Sequence, residues 1–140
     1  MRRLPLTLLI LCLVPLAVCA QTWSAKLDDT IRFYQPTDVG AVLVGTKKSI
    51  YAVDSMTGDV LWRRKDPSLD ENDVAPVPGT DMILLSFEKG SRTRIEAVDA
   101  LNGDRIWQSD KLRGAIMHLA VDPQNNLLAV VMEGCERHVT

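Results

Sequence analysis

Residues 52–62, AVDSMTGDVLW, return 45 positions later at 97–107 as AVDALNGDRIW. Ala, Val, Asp, Gly, Asp and Trp fall in the same columns, and Ser/Ala, Met/Leu, Thr/Asn and Leu/Ile exchange residues of similar bulk or chemistry. A repeat at this period is the mark of stacked supersecondary units, because one unit cannot bury its apolar face alone. Whatever this chain folds into must therefore seat two equivalent units side by side.

Each copy reads as strand, tight turn, strand. The runs at 50–53 and 94–98 carry the β-branched, alternating character of a half-buried strand. Asp54 and Asp99 stand at the turn entry, where a carboxylate can accept hydrogen bonds from turn amides, and Thr57 and Asn102 can act in the same local way. Gly58 and Gly103 take the position where φ is expected to be positive. Val60-Leu61-Trp62 and Arg105-Ile106-Trp107 begin the return strands. Hairpin chemistry alone does not require a Trp four residues beyond the Gly in both copies, so Trp62 and Trp107 point to a shared packing role.

The remainder falls into register around these copies, with Trp23 as a third mark. After each Trp comes a polar stretch, a strand, and an apolar strand entering a turn: 30–34 and 41–45, then 73–77 and 82–87, then 115–121 and 127–132. Lys47-Lys48 and residues 88–92 are expected to turn the chain into the signature strands at 49–53 and 93–98. No segment beyond residue 20 shows a capped 3.6-residue period. The expected fold is all-β, about two to three blades of four short antiparallel strands.

The signature A-x-D-x-x-[TN]-G-x-x-x-W, carried here by Ala52, Asp54, Thr57, Gly58 and Trp62 and by Ala97, Asp99, Asn102, Gly103 and Trp107, resembles the tryptophan-docking motif of the pyrroloquinoline quinone (PQQ)-like β-propeller repeat family. The resemblance covers most of 22–132. It implies a quinoprotein-like partial propeller in which Trp62 and Trp107 lie flat between neighbouring blades, each removing about 150–250 Å² of ring from water. Ala52 and Ala97 would keep the slot thin, and the turn residues would hold its shape. A propeller covers its sheet faces by closing a ring. Two copies and the first strands of a third leave a face and an edge open to the remaining blades of a longer protein, or to self-association.

Met1-Arg2-Arg3, an apolar run over 4–18 and the small residues Val18-Cys19-Ala20 read as a signal peptide spanning 1–20. The apolar core is too short for a transmembrane span, and Val18 fits poorly ahead of a lipidated cysteine. The expected destination is the periplasm or the exterior, with the propeller segment at 21–140. Without Arg2 and Arg3, 14 of the 16 basic residues face 18 acidic ones, a formal charge of −4. No basic stripe with interleaved aromatics suggests nucleic acid. Cys12 and Cys19 leave with the signal, so Cys135 can form a disulfide only with another chain.

The family resemblance implies either a non-catalytic scaffold for protein partners, like BamB-type propellers, or the N-terminal piece of a PQQ- and calcium-dependent dehydrogenase. A small exported ligand-binding or sensor domain is the third reading. No adjacent Cys-Cys pair and no assignable Glu/Asn/Asp calcium set accompany the motif, so no cofactor is expected and no catalytic or metal residue is assigned. His118 sits in an apolar strand, and His138 lies beyond ligand spacing from it. The acidic runs Asp28-Asp29 and Asp70-Glu71-Asn72-Asp73 lack the alternating spacing of a calcium loop.

Overall fold

The computed structural model describes residues 22–66, 69–125 and 127–133. The expected signal peptide, with Cys12 and Cys19, lies outside the described residues, as do Cys135 and His138. Strands β1 (Ile31–Pro36), β2 (Ala41–Thr46), β3 (Ser49–Asp54) and β4 (Val60–Lys65) form an antiparallel sheet in chain order. A second sheet follows the same order in β5 (Val74–Pro76), β6 (Met82–Lys89), β7 (Arg92–Asp99) and β8 (Arg105–Gln108). The short β9 (Leu112–Arg113) pairs with the first residues of β7. β10 (Ala115–Asp122) and β11 (Leu127–Glu133) form a separate hairpin, the first two strands of a third sheet. The described chain is two four-stranded blades and the opening of a third, a segment of a β-propeller.

Three apolar layers stack through this segment, and strand alternation assigns residues to them. Leu43, Ile50 and Ala52 on one face of the first sheet meet Ile83, Leu85, Val98 and Ala100 of the second, with Phe33, Leu69 and Val74 at the margin. The opposite face of the first sheet, Val44, Tyr51 and Val53, is covered by Ala25 and Leu27. The opposite face of the second sheet, Val77, Leu84, Ile95 and Ala97, receives Trp107 and then Ile116, Leu119, Leu128 and Val130 of the third hairpin.

β3 therefore differs from the half-buried strand its pattern suggests. Ser49 to Val53 are all buried, and so are Ile95 to Val98, because each inner strand has a packed layer on both sides. The second hairpin also differs. Glu88, Lys89 and Arg92 belong to β6 and β7, and the turn shrinks to Gly90-Ser91, with Gly90 at φ 64°. A positive φ at the first central position is what a two-residue hairpin loop requires. Asp73, placed by pattern in a strand, instead closes a single 3₁₀ turn at Glu71–Asp73 before β5. Among the described residues no helix is long and apolar enough to cross a membrane.

Leu85, fully buried between the two blades, and Met117, 63% exposed on β10, separate core from surface. Leu85→Ala is expected to lower unfolding free energy by about 2–5 kcal/mol, and Met117→Ala to change it by no more than about 0.5 kcal/mol. Urea denaturation of both variants checks the pair.

Candidate functional site: the indole contacts between sheets

Both signature turns share the same backbone bonds and the same bonds to the entry aspartate. The Asp54 carboxylate accepts from the amides of Met56 (2.8 Å) and Thr57 (2.9 Å), and Asp99 accepts from Leu101 (2.7 Å) and Asn102 (3.1 Å). Gly58 N–H donates to the Asp54 carbonyl and Gly103 N–H to the Asp99 carbonyl, each at 2.9 Å. Thr57 Oγ1 accepts from the Asp59 amide at 3.2 Å, and Asn102 Oδ1 accepts from the Asp104 amide at 2.7 Å. The amides of Thr57 and Met56 hold the Asp54 carboxyl below the usual aspartate range. Threonine and asparagine are interchangeable in that column because either offers an oxygen to the same amide.

The indole of the preceding sheet seats on this turn. Trp62 Nε1–H donates to the Ala100 carbonyl at 2.8 Å, and its ring covers Gly103. A Cβ added to Gly103 would lie 2.8 Å from the ring, and its φ of +77° disfavours any side chain besides. Trp23 repeats the contact one unit earlier: its Nε1–H donates to the Ser55 carbonyl at 2.8 Å, and a Cβ on Gly58 would lie 2.6 Å from its ring. Ser55 and Ala100 are equivalent columns of the repeat. Residues 22–27 thus stand where β4 stands for the second sheet, although among the described residues they belong to no strand.

Ala52 pairs with Trp62 across β3 and β4, and Ala97 with Trp107 across β7 and β8; both alanines are fully buried. In each sheet the register shifts immediately after that pair, so Leu61 and Ile106 are extra residues on the outer strand. Such a bulge bends and twists the strand, and here it aims the Trp beyond its own sheet. The bulge and the carbonyl acceptors were not visible in the motif; the odd Gly-to-Trp spacing was their only trace. Trp107, the second expected docking residue, packs on the second-sheet layer with Leu119, Leu128 and Val130.

A further polar cluster had no signature in the sequence. Asp28 accepts from Thr46 Oγ1 (2.9 Å) and Ser49 Oγ (2.8 Å) and pairs with the Arg63 guanidinium, whose Nε also donates to Ser49 Oγ at 3.1 Å. Arg63 in turn lies over the Tyr51 ring at 5.5 Å. Desolvation pushes the Asp28 carboxyl upward, but the hydroxyls of Ser49, Thr46 and Tyr51 and the Arg63 charge outweigh it and bring it to about 2. Asp29 pairs with Lys48 at 3.1 Å. In the other acidic run, Asp70 and Asp73 cap the 3₁₀ turn, and Asp73 also accepts from Ser86 Oγ at 3.0 Å. His118 is an exposed residue of β10. Among the described residues no group of three or more His, Cys, Asp or Glu converges as a metal would need.

No family model and no curated protein matches the chain. Among solved structures it is similar to a europium-containing methanol dehydrogenase, at 26% identity over 56% of this chain and 15% of that one, with a TM-score of 0.42. It is also similar to BamB from Moraxella catarrhalis, at 16% identity over 68% of this chain and 34% of that one, with a TM-score of 0.41. The chain therefore spans 15% and 34% of the lengths of these two proteins.

Trp62→Ala is expected to cost about 3–5 kcal/mol, the range for a truncated packed aromatic. Gly103→Ala, small as it is, should also destabilise clearly, because strain and the indole clash act together; denaturant unfolding reads both. The depressed Asp28 carboxyl sets a pH dependence. Its folded pKa lies below 3.8, so its stabilisation is complete above about pH 4 and is lost as pH falls toward 2. Asp28→Asn should flatten that acid limb of the stability–pH curve.

Proposed function

We propose that this chain supplies consecutive blades of an exported β-propeller that works as a non-catalytic scaffold for protein partners. The observation that carries the reading is the use made of the repeat's polar groups. Asp54 and Asp99 are filled by the amides of their own turns, and the indole N–H groups of Trp23 and Trp62 are bonded to carbonyls of the next turn. The residues that define the repeat thus hold sheets together, and what they leave free is surface. The basic residues and apolar run ahead of residue 21 support export, and the scaffold would begin at Gln21 after cleavage.

The family resemblance also brings PQQ and calcium into question, and the aspartates of the repeat and of the Asp28-Asp29 run do not fit a calcium site. A calcium site needs several oxygen ligands converging with open lone pairs. Here Asp28 is turned onto two hydroxyls and a guanidinium, Asp29 onto Lys48, and Asp54 and Asp99 onto backbone amides. No step is derived through either group.

Photo-crosslinking in cells tests the scaffold role. With a photoreactive residue at Tyr34 or Ile106, which are 70% and 50% exposed, discrete protein adducts are expected in the envelope fraction, on a chain that mass spectrometry shows starting at Gln21. Alcohol-dependent dye reduction that requires added PQQ and Ca²⁺ would contradict the non-catalytic reading.

A further inference from the structure

The two ends of the sheets differ in charge: the turns at one end are acidic, and the other end is mixed, with Lys47, Lys48, Lys89, Arg92 and Lys111 beside Glu88 and Asp110. The turns at one end carry Asp38, Asp54, Asp59, Asp81, Asp99, Asp104 and Asp122, with Arg105 as the nearest cation along the chain. The Gly79 amide donates to Asp38 at 2.8 Å, which places the first-sheet and second-sheet turns at the same end. The opposite end holds the β6–β7 hairpin and the loop between β8 and β9. There Phe87, Glu88, Lys89, Arg92, Arg94 and Lys111 line a groove of about 750 Å³.

The groove has a built floor. Glu96 is 2% exposed, and its carboxylate pairs with Arg64 of the first sheet at 2.8 Å and with Arg94 at 3.1 Å. Both guanidinium groups lie over the Phe87 ring, at 5.1 and 5.6 Å. The ring thus fixes two cations at the seam of the blades. Above this floor Lys89, Arg92 and Lys111 are exposed, and among the described residues no carboxylate pairs with any of them.

We propose that this groove binds an extended acidic peptide segment of a protein partner, an inference that rests on the scaffold reading above. Carboxylates would meet Lys89, Arg92 and Lys111. An apolar side chain of the same segment would rest on the exposed part of Phe87. One ligand then meets two chemistries: charge and apolar surface. A bare inorganic anion offers only the first and is small for the groove. A nucleobase would need the Phe87 face that Arg64 and Arg94 already cover. Excess positive charge in a groove also accelerates encounter with an acidic partner, and that effect weakens with salt.

Fluorescence anisotropy of the full mature chain tests the groove. The probe is a fluorescein-labelled glutamate-rich peptide with one central phenylalanine; its glutamine counterpart is the control ligand. Binding at low salt is expected for the acidic peptide only. The double reversal Lys89→Glu/Lys111→Glu should weaken it by about tenfold or more, as two opposed contacts become repulsive. The equal charge change Lys26→Glu/Lys47→Glu, outside the groove, should weaken binding much less than the groove reversal when both are compared at about 0.15 M salt, where the screening length is about 8 Å. Circular dichroism and urea unfolding of each variant confirm that it is folded. No binding, equal loss in the two double variants, or equal or tighter binding of pyrophosphate or a single-stranded oligonucleotide would overturn the proposal. If envelope crosslinks persist while the acidic peptide fails to bind, the groove assignment falls and the scaffold reading stands.

Discussion

The structure depends on an indole that leaves its own sheet. A four-stranded antiparallel sheet has two faces to cover, and its own short strands can cover neither. Trp62 solves half of this for the first sheet by crossing to the turn of the second, where its N–H finds the Ala100 carbonyl and its ring rests on Gly103. The contact is apolar burial and a satisfied donor at once, so the ring can be buried without stranding its N–H. Its geometry also fixes register between sheets: a sliding sheet would lose the hydrogen bond and drive the ring against a neighbour with a Cβ.

The other motif residues follow from that contact. The turn must present a carbonyl and a bare glycine at fixed positions, and Asp54 or Asp99 shapes it by gathering the amides that would otherwise be unpaired. Alanine opposite the Trp leaves room on the shared face, and the bulge at Leu61 or Ile106 turns the outer strand outward. Trp23 makes the same contact from a segment that belongs to no strand among the described residues. The docking contact is thus carried by the Trp and its turn, and does not require the Trp to sit within a paired strand.

Much of this was legible in the chain itself. The 45-residue repeat, the turn aspartates, the positive-φ glycines and the all-β character are local matters, and local chemistry writes them into neighbouring columns. What escaped depends on residues far apart in sequence. Ser49–Val53 looked half-buried because alternation cannot show that Ala25 and Leu27 cover the second face. Asp28 reads in the sequence only as half of a short acidic run, whereas folding brings it to Thr46, Ser49 and Arg63. Glu96 occupies the column of Tyr51, so comparing the copies suggested no role for it. Its partner Arg64 comes from the preceding sheet, and only the stacking of the two sheets reveals the pair.

The two polar clusters also show how the blades differ under a common frame. Tyr51 and Glu96 stand in the same column, buried at the same depth, yet one receives Arg63 over its ring and the other binds two guanidinium groups. The frame tolerates either because it is fixed elsewhere, at the indole. Native-state hydrogen exchange of the Trp62 indole N–H tests that claim most directly. If the Ala100 contact holds the blades in register, this proton should exchange only through global unfolding, as slowly as the amides of β3 and β7. Exchange near the rate of a free indole, with those amides still protected, would show that the sheets stay together without it.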